Sequence, residues 1–293
     1  MSEKQAYVLP PDISLHNHIP RIYKQYVFPP LRNSICFTDN YNKDIVDPQI
    51  NKIFNFLCSF GFKFNIICEI KCTNFTWYLK YEGDIDNINI INVIEKLCLD
   101  DSLSYLSING IIYKNKSMLE LIDKTYIKYN PLSFRQNDIS IKNMVYEILK
   151  TTISSKNLYL IGGEMVFYAH LFNTERCIMY TDYMSIYEDA KLNFPENKEI
   201  YLINYDKDIL KKIDIIEMDK SYSMIINTSK HGIGDNLCKQ ILNIELNDII
   251  IISCNGKSFS CDFKKLSQKY IIDQIYEIKT NYIVYIYYLK KYN

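Results

Sequence analysis

The chain lacks any charge imbalance: 34 Lys and Arg face 34 Asp and Glu across 293 residues. That excludes a protein that grips duplex nucleic acid by net charge alone, and equally an acidic tail protein, so any RNA contact has to be local. Arginine is scarce. Only Arg21, Arg32, Arg135 and Arg176 occur, a skew that fits the codon usage of an A+T-rich genome better than a physical demand. No run of 18 or more apolar residues is present, and the opening MSEKQAYVLPP lacks the charged-then-apolar order of a secretory leader. The expectation is a cytoplasmic or otherwise intracellular chain without a membrane partner. Nine cysteines occur but no CxxC, and the nearest pair, Cys68 and Cys72, has a wider gap and no second pair to match it. Neither a metal site nor an iron-sulfur cluster is expected, and most of these thiols read as core residues. GxGxxG is absent, and so is any internal repeat. What the chain does have is 48% hydrophobic and 14% aromatic residues, enough to fold, over a length that suggests about two domains.

The organisation follows from rhythm. Pro10, Pro11, Pro20, Pro29 and Pro30 punctuate an arm, 1–34, expected to be extended and to lie against something. From 35 to 130 the pattern is mainly β, with alternating runs at 62–70, 75–81, 104–108, 111–113 and 126–129 and one helical spacing, Ile88, Ile91, Ile94 and Leu97. This predicts a small α+β domain. From 131 to 293 strands alternate with helices, the signature of a parallel sheet covered on both faces. Strands are expected at 158–161, 177–180, 200–203, 224–226 and 249–253, and helices at 139–149, 165–171, 185–192, near 213, at 235–242 and at 258–266. The last two strand-like runs, 271–278 and 282–289, have no helix between them. An α/β sheet ending in an antiparallel hairpin resembles the class I methyltransferase layout.

Ligands of open α/β sheets bind beyond the carboxyl ends of the strands. Gly162 and Gly163, Asp182, Asp206, Asn227 and Cys254 occupy those positions. A carboxylate such as Asp182 can accept hydrogen bonds from both ribose hydroxyls of a nucleoside, or it can cap the next helix. The glycine pair serves either a close-approaching ligand or a tight turn. The segment 227–234, Asn-Thr-Ser-Lys-His-Gly-Ile-Gly, is either a ligand-facing loop or an ordinary one, with His231 a catalyst or a surface residue. Ser253-Cys254-Asn255-Gly256 puts a thiol in a polar, turn-forming context, which sets Cys254 apart from the other eight cysteines.

Taken together, Ser133-Phe134-Arg135-Gln136-Asn137, Thr181-Asp182, the loop from Asn227 to Gly234 with Leu237-Cys238, and Ser253-Cys254-Asn255 resemble, in order and spacing, the SAM-dependent RNA (uracil-5)-methyltransferase family. Those enzymes make 5-methyluridine in tRNA and rRNA. The resemblance covers residue 131 onward, and no counterpart of the family's N-terminal OB-type domain or of some members' iron-sulfur cysteines is present. It implies that Cys254 attacks C6 of uracil. It implies further that Gln136, Asp182 and Asp206 contact S-adenosylmethionine and that Asn227 lies beside the reacting groups. From their strand-end position Gly162 and Gly163 are expected beside the same cofactor, and with net charge zero Lys230, His231 and Lys257 around the cleft are expected to supply the local RNA contact.

Three departures stand out. Asn157 to Glu164 replaces the family's acidic and glycine-rich loop, and Thr228-Ser229 replaces Pro-Pro after the asparagine. The glutamate that serves the family as general base aligns with Ile283. Three readings follow: an RNA uracil-5-methyltransferase working on an unstacked uridine, a catalytically degenerate scaffold on the same fold, bound to RNA and a protein partner, or a protein that binds S-adenosylmethionine but methylates another acceptor. Exposure of Asp182 and Cys254 favours the first, and a cleft filled by Tyr159, Glu164 or Met165 the second.

Overall fold

The computed structural model describes residues 20–36, 46–63, 68–85, 90–172, 174–194, 199–202, 222–228, 230–244 and 246–292. Contacts divide the chain into two compact units, Pro29–Lys142 and a second one made of Met1–Phe28 with Asn143–Asn293. The first described strand, β1 (Ile22–Val27), belongs to the latter.

The inserted unit holds a five-stranded sheet. Its strands are β2 (Ser34–Cys36), β3 (Cys68–Cys72), β4 (Trp77–Tyr81), β5 (Leu103–Ile108) and β6 (Ile111–Asn115), in that spatial order. The β4–β5 pair is parallel, because α2 (Ile90–Leu99) connects it, and the other pairs are antiparallel. Helix α1 (Pro48–Ser59) presents Ile50, Ile53 and Leu57 to the same core as Val93 and Leu97 of α2 and Ile70, Leu79 and Leu106 of the sheet. Asp47 caps α1 by accepting from the Gln49 N–H at 2.8 Å, and Pro48 at the first helical position gives up no hydrogen bond. A separate hairpin, β7 (Met118–Ile122) with β8 (Thr125–Tyr129), completes the unit.

Glu120 of β7 is buried and lies between two cations. Arg135 donates to its Oε2 from Nε and Nη2 at 3.1 and 2.8 Å, and Lys142 Nζ donates to Oε1 at 2.6 Å. Burial pushes the Glu120 carboxyl up, but the Arg135 and Lys142 charges outweigh it and hold the group at about 2. This cluster fastens residues 135–142 to the hairpin. The contact boundary therefore falls after Lys142, twelve residues beyond the change of rhythm at 131.

From α3 (Ile139–Thr152) onward the alternation read from sequence appears element by element. It runs β9 (Asn157–Gly162), α4 (Met165–Leu171), β10 (Arg176–Thr181), α5 (Met184–Asn193), β11 (Glu199–Leu202), β12 (Tyr222–Asn227), α6 (Gly234–Ile244), β13 (Asp248–Ser253), α7 (Gly256–Leu266), β14 (Tyr270–Lys279) and β15 (Ile283–Lys291). The helix expected near 213 lies outside the described residues. The eight strands order as β1-β14-β15-β13-β12-β9-β10-β11. Strands β9 to β13 are mutually parallel, whereas β15 runs antiparallel to both β13 and β14, as the missing helix predicts. Because helices cover both faces, β12 and β13 are buried almost throughout and read as continuous isoleucine-rich runs. Ile249, Ile251, Met224 and Tyr287 share one core with Leu237 and Ile241 of α6 and with Phe259 and Phe263 of α7.

The segment expected only as an extended arm supplies an edge strand. β1 pairs parallel with β14 from Ile22–Gln274 to Val27–Lys279. Its side chains secure the pairing: Tyr23 Oη donates to Glu277 Oε2 at 2.5 Å, Gln25 Nε2 donates to Oε1 at 2.8 Å, and Arg21 meets Asp273 at 3.1 Å.

Candidate functional site

The chain leaves β9 outward through β10 and β11, then returns to β12 on the other side of β9. This reversal makes the carboxyl ends of β9 and β12 the switch point at which open α/β sheets receive ligands. Gly162 and Asn227 are register partners at that point. Gly162 has φ +93°, and a Cβ there would stand 2.3 Å from the Asn227 carbonyl oxygen, so this glycine lets two strands approach each other. This close approach of β9 and β12 is a role for Gly162 besides the ligand-facing and tight-turn ones.

Glu164 follows in the left-handed conformation, φ +57°, and is buried. Tyr168, one turn into α4, donates its Oη to Glu164 Oε2 at 3.2 Å and accepts from Asn227 Nδ2 at 3.0 Å. A polar chain, Glu164–Tyr168–Asn227, thus spans the switch point and fixes the Asn227 amide with Nδ2 toward Tyr168. Met165 is buried beside it. Tyr159 is buried too, but on the core side, stacked on Tyr222 with ring centroids 4.8 Å apart.

Asp182 is exposed just beyond β10. The N-cap of α5 is Tyr183, whose N–H bonds the Thr181 hydroxyl at 3.1 Å, and the cap carries no side-chain bond. Asp206 lies outside the described residues. Gln136 belongs to the inserted unit, where its Oε1 accepts from the Asp138 N–H at 3.3 Å.

Strand β13 ends at Ser253, and Cys254 is exposed immediately after it, whereas Cys177 and Cys238 are buried. Asn255 caps α7, accepting from the Lys257 and Ser258 N–H groups at 3.1 and 3.4 Å. Lys230, His231 and Lys257 are all exposed. The loop that carries the first two is tied to α7: the Lys230 carbonyl accepts from Asn255 Nδ2 at 2.9 Å and from Ser258 Oγ at 2.8 Å. A third tie is Asp262, a buried carboxylate that sequence reasoning did not single out. Its Oδ2 accepts from the Ile233 N–H at 2.8 Å, and the Gly234 N–H also bonds to the carboxylate. Burial raises the Asp262 carboxyl, and these backbone N–H groups and Lys265 oppose the rise. The signal available was the spacing 255, 258, 262, which places all three on one side of α7.

Ser253 is the last residue of β13 paired with β15, opposite Tyr285, so Ile283 lies two residues beyond that pair, toward the strand mouth. Glu277, the nearest acidic residue in β14, is buried with both carboxylate oxygens engaged by β1. Among the described residues no cluster of three or more His, Cys, Asp or Glu side chains is arranged to hold a metal, and no helix is long and apolar enough to cross a membrane.

The mostly parallel sheet, its antiparallel terminal pair and a switch point flanked by Gly162 and Asn227 define a class I methyltransferase fold. An uncharacterized RNA methyltransferase of Fusobacterium nucleatum is 23% identical over 177 residues, 57% of this chain and 38% of that protein. The tRNA (uracil-54, C5)-methyltransferase of Pyrococcus abyssi, solved with S-adenosyl-L-homocysteine, superposes with a TM-score of 0.58 at 16% identity, covering 76% of this chain and 59% of that one. No protein-family model matches the chain. The chain thus spans less than two thirds of either protein, and both are RNA methyltransferases, the group that the sequence motifs resemble.

Proposed function

We propose that this protein is an S-adenosylmethionine-dependent RNA methyltransferase that modifies C5 of a uridine through Cys254. The observation that carries the reading is the placement of Cys254: the exposed thiol stands at the carboxyl end of β13, on the same sheet edge as Asp182 and Asn227. In this mechanism the Cys254 sulfur adds to C6 of uracil and the electron pair moves to C5 and O4. Bound S-adenosylmethionine supplies the methyl group that C5 takes up. Loss of the C5 proton then expels the thiolate and restores the ring. The thiol and the methyl donor approach opposite faces, so the uridine has to leave its stack.

The residues fit the cofactor at its ribose end and narrow the site at its loop end. Asp182 is exposed just beyond the carboxyl end of β10, a position that suits two ribose hydroxyls. Glu164 and Met165, by contrast, put bulk beside Gly163, where a glycine-rich loop would let the backbone approach. Affinity for S-adenosylmethionine is therefore expected to be weak and to depend on Asp182. Calorimetric titration is expected to detect binding to wild type and none to Asp182→Ala, and equal affinity in the two would remove Asp182 from the site.

Lys230, His231 and Lys257 form the local RNA contact, alongside a net charge of zero. Such a site engages few phosphates, so the slope of log affinity against log salt is expected at about −2 to −4. A slope near −10 would mean a far larger basic surface.

The Glu164–Tyr168–Asn227 chain favours a second reading, a scaffold whose cofactor site has closed. S-adenosylmethionine titration separates the two, because the scaffold does not require binding.

A further inference from the structure

We propose that Asp262 is a positioning residue that clamps the loop between β12 and α6, and that through this clamp it holds Lys230 and His231 in place to meet RNA. The inference rests on the RNA-methyltransferase reading for its RNA half. The clamp itself stands on geometry alone.

A loop that carries glycines at 232 and 234, both at positive φ, has little backbone preference of its own and takes its shape from what it is tied to. Here the ties come from one helix. Asn255 and Ser258 converge on the Lys230 carbonyl at 2.9 and 2.8 Å, and Asp262 receives the N–H groups of Ile233 and Gly234. Between these ties stands Gly232, where an added Cβ would meet Asp262 Oδ2 at 2.3 Å and the Ser258 Cβ at 3.3 Å. Gly232 and Asp262 are therefore a matched pair, since the carboxylate fills the space that any other side chain would need. Cys238 of α6 closes the other side, with Sγ 3.8 Å from the Asp262 carbonyl and 3.9 Å from Oδ1. An ion pair between Lys265 of α7 and Asp235 of α6 fastens the same two helices further out. The arrangement leaves Lys230 and His231 as the exposed apex of a loop held at both ends, next to the N-terminus of α7 that carries Lys257. A cation on a held loop loses little freedom when it meets a phosphate, which is the advantage that the clamp confers.

The test uses the full-length protein with Asp262→Ala, Asp262→Asn, Gly232→Ala and the Gly232→Ala/Asp262→Ala double variant. Four readouts are needed: hydrogen exchange of the loop amides, affinity for unfractionated tRNA and rRNA, calorimetric affinity for S-adenosylmethionine, and the melting temperature. Asp262→Ala is expected to speed exchange at Ile233 and Gly234 by about 100-fold while the β12 and β13 amides stay protected. RNA affinity is expected to fall about tenfold, the effect of loosening one or two phosphate contacts, with S-adenosylmethionine affinity unchanged. Asp262→Asn, which keeps an acceptor oxygen for Ile233, is expected to restore most of the protection and most of the affinity. Gly232→Ala is expected to reproduce the loss, and to cost less when Asp262 is already alanine, because the clash has been removed. Unchanged loop exchange in Asp262→Ala would overturn the clamp. Loss of S-adenosylmethionine affinity and melting temperature in step with RNA affinity would overturn the positioning role in favour of a purely structural one. If wild type binds neither RNA, the functional reading fails and the RNA half fails with it, while exchange at Ile233 and Gly234 still decides the clamp.

Discussion

RNA carrying 5-fluorouracil, incubated with S-adenosylmethionine and the wild-type protein, is expected to become covalently attached to it, and Cys254→Ala is expected to give none of that product. Fluorine at C5 blocks the proton loss that precedes expulsion of the thiolate, so the adduct accumulates and can be seen as a shifted band or by mass spectrometry. The effect is all-or-none, since alanine offers no nucleophile. Position 283 sharpens the experiment. Isoleucine cannot accept the C5 proton, and Glu277 has both oxygens occupied by Tyr23 and Gln25. Loss of a general base costs about 10²- to 10⁴-fold in rate, so ordinary uridine RNA is also expected to give a long-lived adduct. Ile283→Glu, two residues beyond the Ser253–Tyr285 pair, is expected to shorten its lifetime and raise turnover. Wild-type protein that binds RNA yet forms no adduct with either substrate would defeat the enzyme reading and leave the scaffold.

Glu120→Gln is expected to destabilise the inserted unit strongly. The substitution removes the carboxylate and leaves Arg135 and Lys142 buried with their shared counter-charge gone, a loss of about 3–5 kcal/mol. Denaturant titration at neutral pH measures it, and equal midpoints for variant and wild type would refute it. The pH dependence has a definite sign. The folded Glu120 carboxyl is held at about 2, below its ordinary 4.5, so its contribution is complete above about 4.5 and disappears as pH falls toward 2. At 1.36 kcal/mol per unit this contribution amounts to roughly 3 kcal/mol. The gap between wild type and Glu120→Gln is therefore expected to close on acidification through that window.

How legible the fold was depended on periodicity. From 139 onward every described strand and helix lies within a few residues of its sequence-based expectation, because buried parallel strands such as Ile249 to Ile252 leave unbroken apolar runs between amphipathic helices. Helix α1 lies inside a stretch whose pattern reads as mainly β, although Asp47-Pro48 followed by Ile50, Ile53 and Leu57 carries both a start signal and a helical spacing. Strand β1 was illegible for a different reason: its partner, β14, is some 250 residues away, and pairing over that distance leaves no local trace. At the site, the strand-end positions of Gly162, Asp182, Asn227 and Cys254 followed from alternation alone. The occupation of the Asn227 amide by Tyr168 did not, nor did the Asp262 clamp, because each depends on side chains from separate elements meeting in space.

The pairing of β1 with β14 also sets an order for synthesis. Gln25 and Glu277 are separated by 252 positions, so β1 leaves the ribosome long before its partner. Between them the whole Pro29–Lys142 unit emerges, with its own core and its own sheet. Domains fold as they are made, so the inserted unit can complete itself while β1 still waits for β14. Until then the nascent chain carries an unpaired strand, and the step that completes the eight-stranded sheet joins segments some 250 positions apart rather than neighbouring ones. Loop-closure entropy makes that step slow relative to the local hairpin β14–β15, whose strands are a few residues apart.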